Sequence, residues 1–285
     1  MGKKNQYEIE KSIITNIDKI EDITSLYRKS SMIDNYENNR FLSFLGIILH
    51  SMEIEIIDNT LTYINPHNVV EIAPGTGRLT KNIECSNMGI GIDTSIGMLK
   101  EAKKNVKNSK WIFVNGDAFM LPVKSNSVDC LITFRLLRHF TVEDRKRMYQ
   151  EIHRALNSNS IVIFDMLNKK RGVIGKIVEY TWDRITLYYG LITGRSFEKV
   201  YDDYVSLEEI EKELSDCGFK LISSHAVGCF YSFEYILDKI TSVRILKHSR
   251  ILINPLLLPI AIYWDRKYRK TAKYNLEWVV VGQKV

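Results

Sequence analysis

Two acids and two glycines stand at spacings that could cradle a nucleotide. Glu71 sits within the apolar run Asn68-Val69-Val70-Glu71-Ile72, and the turn Ala73-Pro74-Gly75-Thr76-Gly77 follows it. A second apolar run, Gly89-Ile90-Gly91-Ile92, ends in Asp93. Glycine lets backbone approach a ligand where a Cβ would collide. A carboxylate at the tip of the second strand can accept hydrogen bonds from a ribose diol. A dinucleotide turn calls for a third glycine, so that a pyrophosphate can rest on the helix N-terminus, and that slot holds Thr80. Glu71 would also meet a pyrophosphate with the wrong charge. The pair favours an adenosine cofactor with a positive centre, S-adenosylmethionine, over NAD.

Those residues need strands and helices to hold them. Apolar runs predict strands over 68–73, 88–93, 111–115, 127–134 and 160–166, with helices over 77–84, 95–107 and 142–156. Ser206 and Glu209 form a capping box that opens another helix, and strands over 218–226 and 276–284 close the chain. Buried strands alternating with amphipathic helices predict an α/β fold, a parallel sheet covered on both faces. Residues 1–66 read as an N-terminal helical segment or lid. Within it, 21–64 look helical, with Phe41, Leu42, Phe44, Leu45, Ile48 and Leu49 on one face and a stop near Pro66. Residues 67–285 read as the cofactor-binding domain. Two stretches, 167–205 and 227–275, exceed a minimal fold of this kind and are expected to cap the substrate or face a membrane.

Four blocks in order carry a family resemblance: Glu71 to Arg78; Gly91 to Leu99; Asn115 to Pro122; and Ser127 to Arg135. The chain resembles the class I S-adenosylmethionine-dependent methyltransferases, especially the small-molecule group that includes quinone-biosynthesis enzymes. The resemblance covers residues 68–166 well and the rest weakly. It implies a Rossmann-like, doubly wound, mostly parallel seven-stranded sheet, and transfer of a methyl group by in-line displacement. It also implies roles. Glu71 with Ala73, Pro74, Gly75, Thr76 and Gly77 would surround the methionine part and ribose. Asp93, with Thr94 beside it, would hold the ribose hydroxyls, and Met98 would lie against the adenine. Asp117 would accept from the adenine amino group, flanked by Gly116, Ala118 and Phe119. Phe134 and Arg135 would border the methyl group. One departure stands out: the family usually has glycine where this chain has Ala73.

His139, just past the fourth strand, is the best candidate for a catalytic base and for contact with the acceptor. The alternative is a histidine that caps or packs the next helix. Tyr36 and Arg40 are weaker substrate-binding candidates from the segment that closes over the cofactor in such enzymes. Asp129 reads as serving a strand entrance, and Tyr149, His153 and His225 as structural. No spacing of ligands points to a metal.

Composition bounds the rest. The 285 residues are 45% hydrophobic and 26% charged, enough for a sizeable core. A net charge of +6, spread along the chain, permits anionic surfaces without arguing for nucleic acid. Thr133-Phe134-Arg135-Leu136 lacks the Asn/Asp-Pro-Pro-aromatic signature of enzymes that methylate exocyclic amines of nucleic acids. Cys85, Cys130, Cys217 and Cys229 show no metal spacing, and with no signal peptide the economical expectation is a reduced, cytoplasmic protein. Between Arg244 and Lys273, eight bases flank an apolar stretch broken by Pro255 and Pro259, against Asp265 as the single acid. The plain reading is a core-packed segment with solvated basic flanks; the other is peripheral contact with a membrane or lipid tail. The expected acceptor is a small or lipid-like molecule. Two alternatives stand beside it: a non-catalytic S-adenosylmethionine-binding partner subunit, and an NAD-dependent oxidoreductase. The sequence leaves oligomeric state open.

Overall fold

Period-two alternation in the strands lays successive residues on opposite faces of one sheet, and both faces are buried. Val69, Cys130, Ile132, Ile161, Ile163, Val279 and Val281 belong to one core cluster. Their neighbours Val70, Leu131, Val162, Phe164 and Val280 belong to the other. The computed structural model describes residues 14–17, 21, 25, 27–28, 43–171, 173–194, 197–230, 249–270 and 272–285. In chain order the strands are β1 (Ile14–Ile17), β2 (Asn68–Ile72), β3 (Met88–Asp93), β4 (Trp111–Asn115), β5 (Val128–Thr133), β6 (Leu156–Asn168), β7 (Phe197–Val200), β8 (Tyr204–Val205), β9 (Phe219–Val227) and β10 (Glu277–Lys284). The helices are α1 (Phe44–Ile64), α2 (Ile96–Asn105), α3 (Val142–Ala155), α4 (Val173–Thr193), α5 (Leu207–Asp216) and α6 (Ser249–Tyr268).

The main sheet runs β4-β3-β2-β5-β6-β10-β9, with β8 paired to β6 off that path. β10 is antiparallel to both its neighbours, β6 and β9, and the other pairs of this sheet are parallel. The expected seven strands are therefore eight. The cause is the length of β6, which runs on to Asn168 while β5 stops at Thr133 opposite Phe164. β8 takes the vacated side, pairing Tyr204 with Leu167 and Val205 with Asn168. β1 and β7 form a separate parallel pair.

The predicted helix over 77–84 does not form. Turns occupy 75–79, and a single 3-10 turn, Thr80–Asn82, gives way to extended backbone at Ile83. Arg78, Leu79 and Thr80 are all buried. Three consecutive inward side chains cover more of a helix's circumference than one apolar stripe allows.

Other boundaries follow local chemistry. Ser43 caps α1 by accepting from Gly46 N–H at 3.1 Å. Asn65 ends the helix in the left-handed region, its N–H on the Leu61 carbonyl, just before Pro66. Phe44, Ile48 and Leu49 are buried as the apolar face requires; Phe41 and Leu42 lie outside the described residues. The Ser206–Glu209 capping box is present in both directions. Asp129 sits at the entrance of β5, accepting from the N–H groups of His67 and Asn68 at 3.1 and 2.9 Å. Among the described residues no helix is long and apolar enough to cross a membrane.

Candidate active site

Parallel strands place ligands beyond their carboxyl ends. A cavity of about 410 Å³ opens there, walled by residues that follow β2, β3, β4 and β5. Of the predicted positions, Ala73, Gly75, Asp93, Thr94 and Met98 line it, as do Gly116, Asp117, Ala118, Phe119, Phe134, Arg135 and His139. Glu71, Pro74, Thr76 and Gly77 do not. Tyr36 and Arg40 fall outside the described residues.

Asp93 anchors the first wall. Its Oδ1 accepts from Ser95 N–H at 2.8 Å and its Oδ2 from Gly75 N–H at 3.2 Å. Burial pushes its carboxyl above the ordinary range, while these backbone donors and the Arg28 charge pull the other way. Thr94 N–H is a third backbone donor to the carboxylate, which leaves acceptor capacity for a ligand hydroxyl. The next turn, Gly116 to Phe119, is held by Gly116 N–H on the Asp93 carbonyl at 3.2 Å and Phe119 N–H on Asp117 Oδ1 at 2.9 Å. Phe119 stands edge-on to Phe140, with ring centroids 5.5 Å apart.

Glu71 lies beneath the turn. It is 2% exposed and accepts the Thr80 hydroxyl proton at 2.5 Å, and burial raises its pKa to about 7. Gly77 has φ +82°, and a Cβ there would sit 2.8 Å from Val106 Cγ2, so its glycine serves packing against the end of α2. Ala73 itself has φ +55°, which accounts for glycine being the more comfortable residue at this position.

A chain of buried charges supports the fourth wall. Arg78 pairs with Glu53 of α1 at 2.5 Å, and Arg135 reaches Glu53 at 3.1 Å. Arg138 pairs with Asp165 of β6 and, at 3.0 Å, with Glu277 of β10. Asp165 also takes the Arg135 backbone N–H at 2.5 Å, fixing a residue whose φ is +59°. The two arginines hold the Glu53 carboxyl down at about 2 against its burial. Arg78 also contacts His50 Nδ1 at 2.6 Å; burial first, then that positive charge, lowers the imidazole to about 4.

His139 is buried in the same wall. Its Nδ1 lies 2.8 Å from the Tyr201 carbonyl and 3.2 Å from Asp202. A carbonyl oxygen only accepts, so Nδ1 carries the proton and the neutral ring's lone pair is on Nε2. Nε2 is buried without a hydrogen-bond partner among the described residues. The Tyr27 ring stands nearby, 6.3 Å between centroids.

Sequence reasoning missed several of these groups. Glu21, Tyr27 and Arg28 line the cavity from the N-terminal segment, and the Tyr27 carbonyl accepts the Ser95 hydroxyl at 3.1 Å. No local pattern distinguishes them from Tyr36 or Arg40. Leu136 and Phe140 complete the apolar wall around His139. Glu53 did leave a signal: it is an acid one turn from Leu49 and Ile57 on the buried face of α1. Among the described residues no group of three or more acid, histidine or cysteine side chains converges on a metal-sized site.

Comparison with known proteins bears on this geometry. Residues 70–164 match the family model described as "Methyltransferase domain". The chain is 32% identical over 155 residues to an uncharacterised 37.1 kDa protein of a Streptomyces fradiae transposon, covering 51% of this chain and 41% of that protein. It thus spans about two fifths of that relative's length. It is 24% identical over 220 residues to the ubiquinone/menaquinone biosynthesis C-methyltransferase UbiE of Wigglesworthia glossinidia brevipalpis, covering 69% of this chain and 87% of that one. Its fold is similar to magnesium protoporphyrin IX methyltransferase of Synechocystis PCC 6803, solved with bound S-adenosylhomocysteine. That likeness has a TM-score of 0.58 at 12% identity, over 92% of this chain and 98% of that one.

Proposed function

We propose that this chain, whose residues 70–164 form a methyltransferase domain of the class I S-adenosylmethionine-dependent type, methylates a small organic acceptor of largely apolar character. S-Adenosylmethionine bound in the cavity would supply an electrophilic methyl on a sulfonium. The donor set fits that cofactor. Asp93 has acceptor capacity for the ribose diol, Asp117 can accept from the adenine amino group, and Met98 and Phe119 offer apolar surface to the ring. Ala73, Gly75, Phe134 and Arg135 line the same cavity and would border the methionine end.

His139 is the observation that carries the reading. It lines the cavity directly after the Phe134–Arg135 turn, with one nitrogen tied to a carbonyl and the other without a partner among the described residues. In that tautomer it can take a proton from a phenol, enol or amine as the acceptor's electrons are drawn off. Phe134, Leu136 and Phe140 give it apolar neighbours in the cavity wall, and alignment of the acceptor supplies much of the acceleration in a displacement of this kind. Similarity to the quinone-pathway C-methyltransferase supports an aromatic, enolisable acceptor, whose methyl would end on carbon.

The test is methyl transfer from radiolabelled S-adenosylmethionine to a panel of hydroquinones, phenols, amines and extracted lipids. Label recovered in an organic product, together with S-adenosylhomocysteine, is the expected outcome. Tight binding of the cofactor with no label transferred to any member would overturn the catalytic reading in favour of a binding subunit.

A further inference from the structure

The two insertions of the chain are rooted together. Asn168, at the end of β6, donates through Nδ2 to the Asn275 side-chain oxygen at 2.9 Å and to the Lys273 and Asn275 carbonyls at 3.1 and 3.2 Å. Its N–H meets the Leu276 carbonyl at 2.9 Å. The insertion carrying α4 leaves β6 here and returns at β8, which pairs with Leu167 and Asn168. The insertion carrying α6 leaves β9 at Val227 and returns at Glu277, and these two residues are paired. Both therefore emerge from the carboxyl edge of β6, the edge of the parallel strands at which the cavity opens.

α6 stays helical through Pro255 and Pro259, and its sides differ. Leu257, Leu258, Ala261 and Ile262 pack on the core beneath α1. Asp265 turns inward and accepts from the N–H groups of Gly228 and Cys229 at 3.0 and 2.6 Å. Glu55 of α1 takes Arg266 and Arg269 at 2.5 and 2.7 Å. The opposite side is open: Ile260 is 53% exposed, Tyr263 59% and Trp264 39%. Lys267 Nζ lies 5.3 Å from the Trp264 ring centroid, and Lys270 and Lys273 are exposed beyond it.

α4 repeats the pattern. Ile177, Tyr180, Ile185, Tyr188, Leu191 and Ile192 are all exposed and fall on one stripe at helical spacing. Arg184, over the Tyr180 ring at 5.3 Å, is the charge described within it. Isolated exposed apolar residues need no explanation, but contiguous faces of this kind mark contact sites.

We infer that these faces rest on an anionic lipid surface, with α6 as the principal contact. The chemistry matches that occupant on two counts. Tyr and Trp beside aliphatic residues suit the boundary between headgroups and acyl chains. The charges are complementary: with Asp265 buried and Arg266 and Arg269 engaged by Glu55, Lys267, Lys270 and Lys273 face outward toward lipid phosphates. The helix lies on the surface, since no described helix is long and apolar enough to cross it. The docking stands apart from the methyl-transfer reading and can hold if that reading fails.

The experiment is co-sedimentation of the full chain with sucrose-loaded vesicles of phosphatidylcholine alone, and of phosphatidylcholine mixed equally with phosphatidylglycerol. Partition onto the mixed vesicles is expected to exceed that onto neutral ones by at least tenfold. Lys267→Glu and Lys270→Glu should each lower it about fivefold or more. Ile260→Ser with Tyr263→Ser should abolish it, while thermal unfolding and S-adenosylhomocysteine affinity, which report folding, stay unchanged. Equal binding to neutral vesicles, no binding to either, or full binding by the folded variants would each overturn the inference. So would sedimentation of the free protein as a dimer that the Ile260→Ser, Tyr263→Ser variant splits, since the occupant of the face would then be a second copy.

Discussion

The Thr80 hydroxyl donates to the Glu71 carboxylate at 2.5 Å in a fully buried pair beneath the glycine turn. Burial is the largest influence on Glu71; the Thr80 hydrogen bond and Arg78 oppose it, and Asp93 adds to it. Folded-state pKa is thus about 7 against an ordinary value of 4.5. The folded chain holds this proton between those values while the unfolded chain has released it. Stability contributed by the protonated group is complete below the lower value and lost as pH rises through about 7, by about 3 kcal/mol. Glu71→Gln should flatten that slope in urea titrations from pH 4.5 to 8. An unchanged slope would show that Glu71 is ionised throughout.

Glu53 has the opposite sign. Its carboxyl is held at about 2 by Arg78 and Arg135, so its contribution is present above the ordinary 4.5 and lost as pH falls toward 2. Glu53→Gln leaves two arginines facing each other without their shared acid, which should cost about 3–5 kcal/mol. The melting temperature at pH 7 measures it, and a fall under 1 °C would contradict the geometry.

Asp93→Ala removes both the carboxylate that faces the cavity and the acceptor that holds Gly75 and Ser95. S-Adenosylhomocysteine binding by calorimetry should weaken by about 2–4 kcal/mol. Unaltered affinity would displace the ribose from this wall.

His139→Ala should leave S-adenosylhomocysteine affinity within about twofold and lower turnover with a proton-bearing acceptor about 10²- to 10⁴-fold. Equal turnover would assign the imidazole a packing role against Tyr201 and Tyr27.

Ala73→Gly relieves a side chain held at φ +55°. The gain in folded-state comfort exceeds the added freedom of the unfolded chain, for a net stabilisation of about 0.5–1 kcal/mol. A lower melting temperature would show that the methyl packs favourably there.

Much of the scaffold was legible because each strand and helix carries its own periodicity. β3 and β4 have the predicted bounds, and β2, β5, β9, β10, α2 and α3 differ by a residue or two. These elements bury one stripe or alternate faces, a pattern that exists before any partner is known. The helix expected after Gly77 misled because Leu79 and Ile83 have helical spacing, yet Arg78 and Thr80 are also drawn inward, to Glu53 and Glu71.

By itself the sequence determined the order of β2 to β6, of α2, α3 and α5 and of the closing strands β9 and β10, with the glycine turn and the acid at the tip of β3, since these depend on residue type and short spacing. Only the tertiary structure decided which of those groups face the cavity. It turned Asp93 toward the cavity and closed Glu71 under Thr80, and it joined Glu53, Arg135, Arg138, Asp165 and Glu277 into one support. Charge pairing across more than a hundred residues leaves no local pattern, because the energy that favours it arises only when folding removes water from both partners.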